Sequence, residues 1–217
     1  MFKNRDFFLL EYSYKMKILA FADVHGEIGS IKGLVEKAQK HKVSLLVCAG
    51  DLTFFGSNPD SLLKKLDIGL PLIIIPGNHE LPEDIKNAAK KFKFIKNLHN
   101  SVMGIDGCIF TGLGGSKITP FSTPFEMGDI EIEKKLSKLK QIKAKKAVLV
   151  VHEPPFNTLL DRIDGIHLGS KAIRNFIESS QPDFCVCGHF HENFGMQDNV
   201  RRTTIINPGP KGVIIEI

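Results

Sequence analysis

The sequence predicts a layered α/β protein, and two observations carry this prediction. First, short apolar runs rich in β-branched residues alternate with segments of helical period, which is typical of sheets covered by helices. The run LIII at 72–75, which ends at Pro76 and Gly77, is such a buried strand. Second, two segments hold strands with no helix between them, which indicates a second sheet beside the first. The expected fold class is therefore a layered α/β sandwich.

Individual elements follow from the local apolar pattern and from the residues that end each run. We predict strands over 17–22, 45–49, 72–75, 147–151 and 183–187. Proline favours the first turn of a helix, and Asp, Asn and Ser side chains cap its free N–H groups. The predicted starts of the intervening helices are therefore Asn58, Pro82, Asp129 and Ser170. The first of these helices is expected to end at Leu66.

The strands that lack a neighbouring helix lie in two segments. The segment 101–112 predicts a hairpin that turns at Asp106 and Gly107, because Asp-Gly is a favoured pair in two-residue hairpin turns. The segment 203–217 predicts a closing strand pair. Both segments are expected to belong to the second sheet.

Composition limits the classes of function. A chain of 217 residues and 24.1 kDa, 42% hydrophobic, fits one domain with one sizeable core. A formal net charge of +5 mildly favours anionic partners but does not require nucleic acid. No apolar run is long enough for a signal sequence or a membrane span, so we expect no membrane partner. The cysteines lie in apolar runs and are predicted to be reduced core thiols, which favours a cytoplasmic location: Cys48, Cys108, Cys185 and Cys187.

Residues 1–15 differ from the rest of the chain. They show no periodicity and contain both tyrosines of the sequence, whereas a strand begins directly after Met16. We therefore predict an N-terminal extension over 1–15, either loosely docked or produced by a misread start, and one domain over 16–217.

Polar side chains follow each of the five strands that alternate with helices. In order, these groups are Asp23-Val24-His25, Gly50-Asp51, Gly77-Asn78-His79-Glu80, His152 and Gly188-His189-Phe190-His191. Ligands of open α/β sheets bind beyond the carboxyl ends of the strands. Asp, Asn and His are also ligands that divalent first-row metals accept. Each group alone could be a surface turn, but together they predict a metal site.

This order of motifs, D-x-H, G-D, G-N-H-E, H and G-H-x-H, resembles the calcineurin-like metallophosphoesterase superfamily from Met16 to the C-terminus. The resemblance implies an α/β/β/α sandwich with two facing mixed sheets and a site for two divalent metal ions. One ion would be held by Asp23, His25, Asp51 and His191. The other would be held by Asp51, Asn78, His152 and His189, with the carboxylate of Asp51 bridging the two.

The chemistry that the resemblance implies is hydrolysis of phosphate esters. Two divalent cations make a bridging water acidic enough to attack as hydroxide, and they leave a net positive site for an anionic phosphoryl group. Asp51 and His79 would be the catalytic residues. His79 could protonate the leaving oxygen or hydrogen-bond to a non-bridging one, and the sequence leaves both roles open. Donor types alone accept Mn, Fe, Zn, Co or Ni.

Departures from the superfamily pattern narrow the substrate. After Asp51 the chain reads LTFFGS and lacks the Asp-Arg pair of serine/threonine protein phosphatases, which also leaves open what orients His79. The sequence is most similar to the compact branch that includes bacterial cyclic-nucleotide phosphodiesterases, so we expect a small phosphodiester. Candidate substrate contacts are Arg162 and His167, although a solvated surface position is the alternative for Arg162.

Other readings stay open at this point. The loop GLGGSKITPFSTPFE at 112–126 is either a binding loop or a proline-stiffened connector. The chain could be a phosphomonoesterase, or a nuclease if a basic track led to the site, but no such track is visible. A non-catalytic scaffold is not favoured, because every ligand position is filled. A homodimer is compatible with the sequence.

Overall fold

The computed structural model describes residues 16–55, 59–139 and 146–217. Its strands are β1 Lys17–Phe21, β2 Leu45–Cys48, β3 Leu72–Ile74, β4 Ile95–Asn97, β5 Ser101–Ile105, β6 Cys108–Leu113, β7 Ser116–Lys117, β8 Glu126–Met127, β9 Lys146–Val151, β10 Arg162–Ile163, β11 Ile166–His167, β12 Phe184–Val186, β13 Gln197–Val200, β14 Thr203–Ile206 and β15 Val213–Glu216. Its α-helices are α1 Ile28–His41, α2 Asp60–Leu66, α3 Pro82–Lys91, α4 Asp129–Leu136 and α5 Lys171–Ser180. The predicted extension over 1–15 and the predicted cap at Asn58 lie outside the described residues.

Two large sheets, both mixed, form the centre of the fold. The first has the strand order β15-β1-β2-β3-β4, with β15 antiparallel to β1 and the other neighbours parallel. The second has the order β13-β14-β12-β9-β6-β5, with antiparallel pairs at both ends and parallel pairs between them. The predicted α/β class with two mixed sheets is confirmed.

Three buried clusters show how the layers stack. Side chains alternate between the two faces of a strand, so each sheet contributes to two clusters. In the first sheet, Leu46 packs towards α1, α2 and α3, whereas Val47 faces the second sheet. In the second sheet, Val148 faces the first sheet, whereas Leu149 packs towards α4 and α5. The layers therefore follow the order α/β/β/α.

The strands outside the helical alternation are only partly as predicted. The hairpin of β5 and β6 is confirmed, and Asp106 and Gly107 at its tip have φ of 46° and 79°. The prediction that the two strands of 203–217 pair with each other was wrong. Strand β14 lies parallel to β12 in the second sheet, whereas β15 lies antiparallel to β1 in the first. An apolar alternation identifies a strand but carries no information about its partner.

Helix starts also differ in one place. Helix α3 begins at Pro82, and the Ser170 hydroxyl accepts a hydrogen bond from the backbone N–H of Ile173 in α5, as predicted. Helix α4, however, begins at Asp129 itself, so Asp129 does not cap it from outside. The Asp129 carboxylate instead accepts a hydrogen bond from the backbone N–H of Lys171, at the start of α5. Its partner is thus the neighbouring helix, which local sequence does not reveal.

Two further observations concern the whole of the described chain. All four cysteines are free and buried, as predicted for core thiols. Within the described ranges, no helix has the length and apolarity needed to cross a membrane.

Candidate metal centre

Polar residues from both sheets converge where five strands end. Asp23, Asp51 and Asn78 follow β1, β2 and β3 of the first sheet, whereas His152 and His189 follow β9 and β12 of the second. Backbone hydrogen bonds tie these ends together: the N–H of Asp23 donates to the carbonyl of Gly50, and that of Gly188 donates to the carbonyl of His152. Chain segments distant in sequence thus form one buried cluster.

One half of the cluster gathers around the amide oxygen of Asn78. Asn78 Oδ1 lies 2.8 Å from His152 Nε2 and 3.0 Å from His189 Nδ1. His152 Nε2 lies 3.4 Å from Asp51 Oδ2. The other ring nitrogen of His152 donates to the carbonyl oxygen of Ala49 at 2.8 Å, so Nε2 is the atom that faces the cluster.

The other half of the cluster gathers around two imidazoles. His25 Nε2 lies 3.1 Å from His191 Nε2 and 3.7 Å from Asp51 Oδ2. His191 Nε2 lies 3.8 Å from Asp23 Oδ1. Asp51 Oδ2 therefore belongs to both halves, while Asp51 Oδ1 accepts a hydrogen bond from the backbone N–H of His79 at 3.0 Å.

These residues fit a pair of divalent cations. In each of three sets of residues, the ligand atoms lie within 4.8 Å of one another. The sets are Asp23, His25 and His191; His25, Asp51 and His79; and Asp23, Asp51 and His152. Nδ1 of His25 is buried and has no hydrogen-bond partner within the described part of the chain. Carboxylate and imidazole donors packed this closely suit first-row divalent metals. The second set includes His79, so distance alone does not separate His79 from the ligands.

Electrostatics within the cluster favours added positive charge. Burial opposes the protonated form of His152, but the neighbouring carboxylate of Asp51 raises the pKa of His152 to about 10. Burial raises the pKa of Asp23 to about 7, with His152 opposing and Asp51 adding to the rise. Burial also lowers the pKa of His25 to about 4 and of His189 to about 3, so both imidazoles keep free lone pairs at neutral pH. A cation would stabilise the carboxylates in their charged form.

The backbone around the cluster is held in an uncommon conformation. Asp23, His25, Asp51 and His189 have φ of 56°, 47°, 51° and 74°, in the left-handed region. For residues with a side chain, this conformation costs roughly 1–2 kcal/mol each. The loops also pack closely, since a Cβ on Gly77 would lie 1.9 Å from Asp51 Oδ1. Strain and close packing together point to a functional arrangement of these loops.

Comparison with known proteins decides the family. A model of the calcineurin-like phosphoesterase family matches residues 16–193. The chain belongs to the calcineurin-like phosphoesterase family. The resemblance inferred from the motifs is confirmed at this level, and the fold is that of the family.

Relatives of this phosphoesterase occur in several organisms. An uncharacterized protein of Methanocaldococcus jannaschii is 35% identical over 92% of this chain and 91% of its own length. A probable glycerophosphodiester phosphodiesterase of Arcobacter nitrofigilis is 29% identical over 70% of this chain and 58% of its own length. Among solved structures, TT1561 of Thermus thermophilus has a TM-score of 0.72 at 17% identity, covering 90% of this chain and 89% of its own. A dimetal phosphatase from Danio rerio has a TM-score of 0.56 at 15% identity, covering 88% and 86%.

Glu80 stabilises the loops that carry the cluster of this phosphoesterase by accepting backbone hydrogen bonds. Its buried carboxylate accepts backbone hydrogen bonds from Asp51 at 3.0 Å, Gly77 at 2.8 Å and Thr53 at 2.7 Å, and a fourth bond from the Thr53 hydroxyl. Glu80 thereby joins the loop after β2 to the loop after β3. Glu80 stands in the G-N-H-E motif, but the sequence carries no signal of this role.

A polar network holds Asn78 from the other side. The side-chain amide of Asn78 donates to the Thr123 hydroxyl at 3.1 Å, which leaves Oδ1 facing the histidines. The hydroxyls of Thr119 and Thr123 both lie 2.6 Å from one oxygen of Glu126. Hydrogen bonds from Thr119 and Thr123 hold the pKa of Glu126 near 2 against the opposing effect of desolvation. The loop singled out in the sequence is thus fastened to the cluster.

Glu153, directly after His152, is a further buried acid of the phosphoesterase. One of its oxygens accepts a hydrogen bond from the backbone N–H of Lys117 at 3.0 Å and lies 3.7 Å from His189 Nε2. The other oxygen is buried and has no partner within the described ranges. Burial raises the pKa of Glu153 to about 7. Glu153 was not among the residues predicted from the sequence.

A cavity of about 660 Å³ opens beside the cluster. Asp51, Asn78, His79 and His189 are among the residues that line it. Its sides include a set of apolar side chains that we call the apolar wall: Phe54, Phe55, Ile118, Phe121, Leu168 and Phe190.

Two phenylalanines of the apolar wall contact His79. The ring of Phe54 stacks on the imidazole with centroids 5.2 Å apart and an angle of 19° between the planes. The ring of Phe55 meets it edge-on at 4.7 Å and 88°. Nδ1 of His79 is buried and lacks a hydrogen-bond partner among the described residues, so these aromatic contacts, and not a hydrogen bond at Nδ1, help to fix the ring.

The two predicted substrate contacts lie away from the cavity lining. Arg162 and His167 are paired across β10 and β11, and Ile163 and Leu168 line the cavity in their place. His167 Nδ1 lies 2.8 Å from the buried carboxylate of Asp161. Binding of a substrate by Arg162 and His167 stays a prediction.

Proposed function

We propose that this phosphoesterase binds two divalent metal ions and hydrolyses small phosphodiesters. The single observation that carries the proposal is the position of Asp51 Oδ2, which lies 3.7 Å from His25 Nε2 and 3.4 Å from His152 Nε2. One carboxylate oxygen thus faces both halves of the cluster. The proposal is supported by the relative named as a probable glycerophosphodiester phosphodiesterase.

The residues of the cluster and His79 have distinct roles in this reaction. Two bound divalent cations would supply an acidified water between them and would offset the charge of the phosphoryl group. Asp51, Asn78 and His152 would hold the metals, with Asn78 turned by Thr123 and His152 by the carbonyl of Ala49. His79 lines the cavity, where its Nε2 could give a proton to the leaving oxygen.

Metal identity and cell compartment also belong to the proposal. Manganese is one of the cations that the Asp, Asn and His donors accept, and it is the one with which we propose to test activity first. Four free buried thiols support a cytoplasmic location, where thiols stay reduced.

Hydrolysis of two chromogenic esters tests the proposal. With Mn²⁺, we expect bis(p-nitrophenyl) phosphate to be cleaved with a kcat/KM about tenfold or more above that of p-nitrophenyl phosphate. Asp51→Ala should reduce the diester rate by about a thousandfold or more, because it removes the shared ligand. Asp164→Ala, in the exposed turn between β10 and β11, is the matched control and should retain the full rate.

Two outcomes would contradict the proposal. A preference for the monoester would identify a phosphomonoesterase of the same family. Absence of hydrolysis of either ester, in protein shown to hold two equivalents of Mn²⁺, would remove the catalytic proposal and favour a binding role.

A further inference from the structure

Exposed apolar side chains concentrate at the cavity beside the metal cluster. Ile118 and Phe121 are 74% and 79% exposed, and Phe54, Phe55 and Leu168 are also exposed, yet all five line the cavity. Scattered exposed apolar residues are normal, but a contiguous set around a concave site marks a binding surface. The apolar wall therefore needs an occupant that covers it.

Hydrogen bonds hold much of the apolar wall in place. The loop that carries Ile118 and Phe121 is closed by Glu126, which accepts bonds from the backbone and hydroxyl groups of Thr119 and Thr123. The facing loop is joined to it by Lys117 Nζ, which donates to the carbonyl oxygens of Leu168 and Gly169. A pre-formed apolar surface binds a ligand at a lower entropic cost than one that must be ordered.

The charges that line the cavity limit the ligand to one phosphoryl group. Lys117 is the one lysine or arginine among the described lining residues, and its Nζ already contacts two carbonyl oxygens at 2.9 Å and 3.1 Å. Glu153 and Glu192 add acidic groups to the lining. Away from the cluster, a second phosphate would meet carboxylates and phenyl rings. Chains of phosphates and nucleic-acid backbones are thus poorly matched to this cavity.

We propose that the substrate is a phosphodiester whose single phosphoryl group carries a bulky apolar organic group. The phosphoryl group lies at Asp51 and His79, and the organic group packs against the apolar wall at Phe121 and Leu168. This inference rests on the proposed function, because it takes the metal cluster as the site of the phosphoryl group.

Binding of non-hydrolysable phosphonates to the full chain loaded with Mn²⁺ tests the inference without turnover. Isothermal titration should show phenylphosphonate binding about tenfold or more tighter than methylphosphonate, because burial of the ring removes apolar area from water. Propylphosphonate should bind at least about threefold tighter than 2-aminoethylphosphonate, which has the same length but ends in a charge. Comparison of phenylphosphonate with cyclohexylphosphonate identifies the group as aromatic or saturated, and both results support the inference.

Two variants connect the affinity to the apolar wall. Phe121→Ala should reduce the ratio of phenylphosphonate to methylphosphonate affinity about threefold or more, with methylphosphonate affinity unchanged. Its side chain is largely exposed, so the fold should not depend on it. Ile130→Ala, an 84% exposed apolar residue on α4 that does not line the cavity, is the control and should leave the ratio unchanged.

Failure of this inference differs from failure of the proposed function. Equal affinity across the phosphonates, or tighter binding of 2-aminoethylphosphonate, would overturn the apolar substrate, while hydrolysis of bis(p-nitrophenyl) phosphate would still support the phosphoesterase. If no phosphonate bound and no ester were hydrolysed in the metal-loaded protein, both would fall together.

Discussion

The base and the apolar wall of the cavity are built by opposite means. The base, made of Asp23, Asp51, Asn78, His152 and His189, consists of polar groups that follow buried strands and are held by hydrogen bonds. The apolar wall consists of side chains on loops, and all of them except the half-buried Phe190 are exposed. Under the two proposals made above, the residues that follow the strands of the two sheets carry the chemistry, whereas the loops select the ester. Changes in the wall can therefore alter the substrate without altering the reaction.

His79 lies at the boundary of the two regions, and its substitution gives the largest expected effect. We predict that His79→Ala lowers kcat for bis(p-nitrophenyl) phosphate by about a hundredfold or more, because a positioned proton donor contributes this much. Metal content, measured by elemental analysis, should stay at two equivalents. Loss of one metal would instead assign His79 to the base as a ligand. His41→Ala, an exposed histidine at the end of α1, is the matched control.

Glu80 tests whether the base depends on its buried hydrogen bonds. Glu80→Ala leaves the backbone N–H groups of Asp51, Gly77 and Thr53 without their acceptor, so the free energy of unfolding of the metal-free protein should fall by about 3 kcal/mol. Glu80→Gln, which keeps one acceptor oxygen, should lose about half as much. Urea unfolding measures both. A loss no larger than that of the exposed control Glu133→Ala would show that the base does not need this support.

We expect pH to change the binding of Mn²⁺ at the base but not the binding of apolar groups at the apolar wall. His152 has a pKa raised to about 10 in the metal-free protein, so it carries a proton at pH 7 that must leave before Nε2 can hold a metal. Mn²⁺ affinity should therefore rise about tenfold per pH unit between pH 7 and 9, with release of about one proton. Titration calorimetry in buffers of different ionisation enthalpy measures this release.

The same range of pH separates the behaviour of the two regions. In metal-saturated protein, the ratio of phenylphosphonate to methylphosphonate affinity should stay constant over this pH range, because the residues of the apolar wall do not titrate. A ratio that changed with pH would show that the wall and the base are coupled.

Thr123 joins the two regions and should give the smallest effect. Thr123→Val keeps the shape but removes the acceptor for the Asn78 amide and one donor to Glu126. We predict a fall in Mn²⁺ affinity of about tenfold, the lower end of the range usual for groups that orient a metal ligand. Thr204→Val, on strand β14, is the control. An unchanged affinity would mean that Asn78 is oriented by the histidines alone.

The sequence predicted the base well for a physical reason. Short apolar runs with β-branched residues identify buried strands, and polar residues directly after them must lie at the sheet edge. The strand pattern located Asp51 and His152 at strand ends, but only the family resemblance implied that they share a metal, since they follow strands of different sheets. The order of the five motifs then identified the family, which the match over residues 16–193 confirmed.

The supports and the apolar wall could not be predicted, because they depend on contacts between distant segments. Glu126 accepts a hydrogen bond from Thr119 within one loop. The hydrogen bond between Asn78 and Thr123, however, joins residues that are 45 positions apart. Glu153 contacts Lys117 from another strand. The partner of β15 depended likewise on which sheet edge was open. The alternation of apolar and polar residues along the chain indicates which residues are buried, but it does not indicate which distant residues they contact.

The left-handed backbone at Asp23, His25, Asp51 and His189 bears on attempts to stabilise the protein. Replacing such a residue with glycine relieves strain, so selection for heat resistance alone should favour changes at the very positions that we propose as metal ligands. A screen that scores only melting temperature would then enrich robust but inert variants. Selection for robustness in this fold therefore has to be carried out with the metals present, so that their binding energy counts in favour of the functional residues.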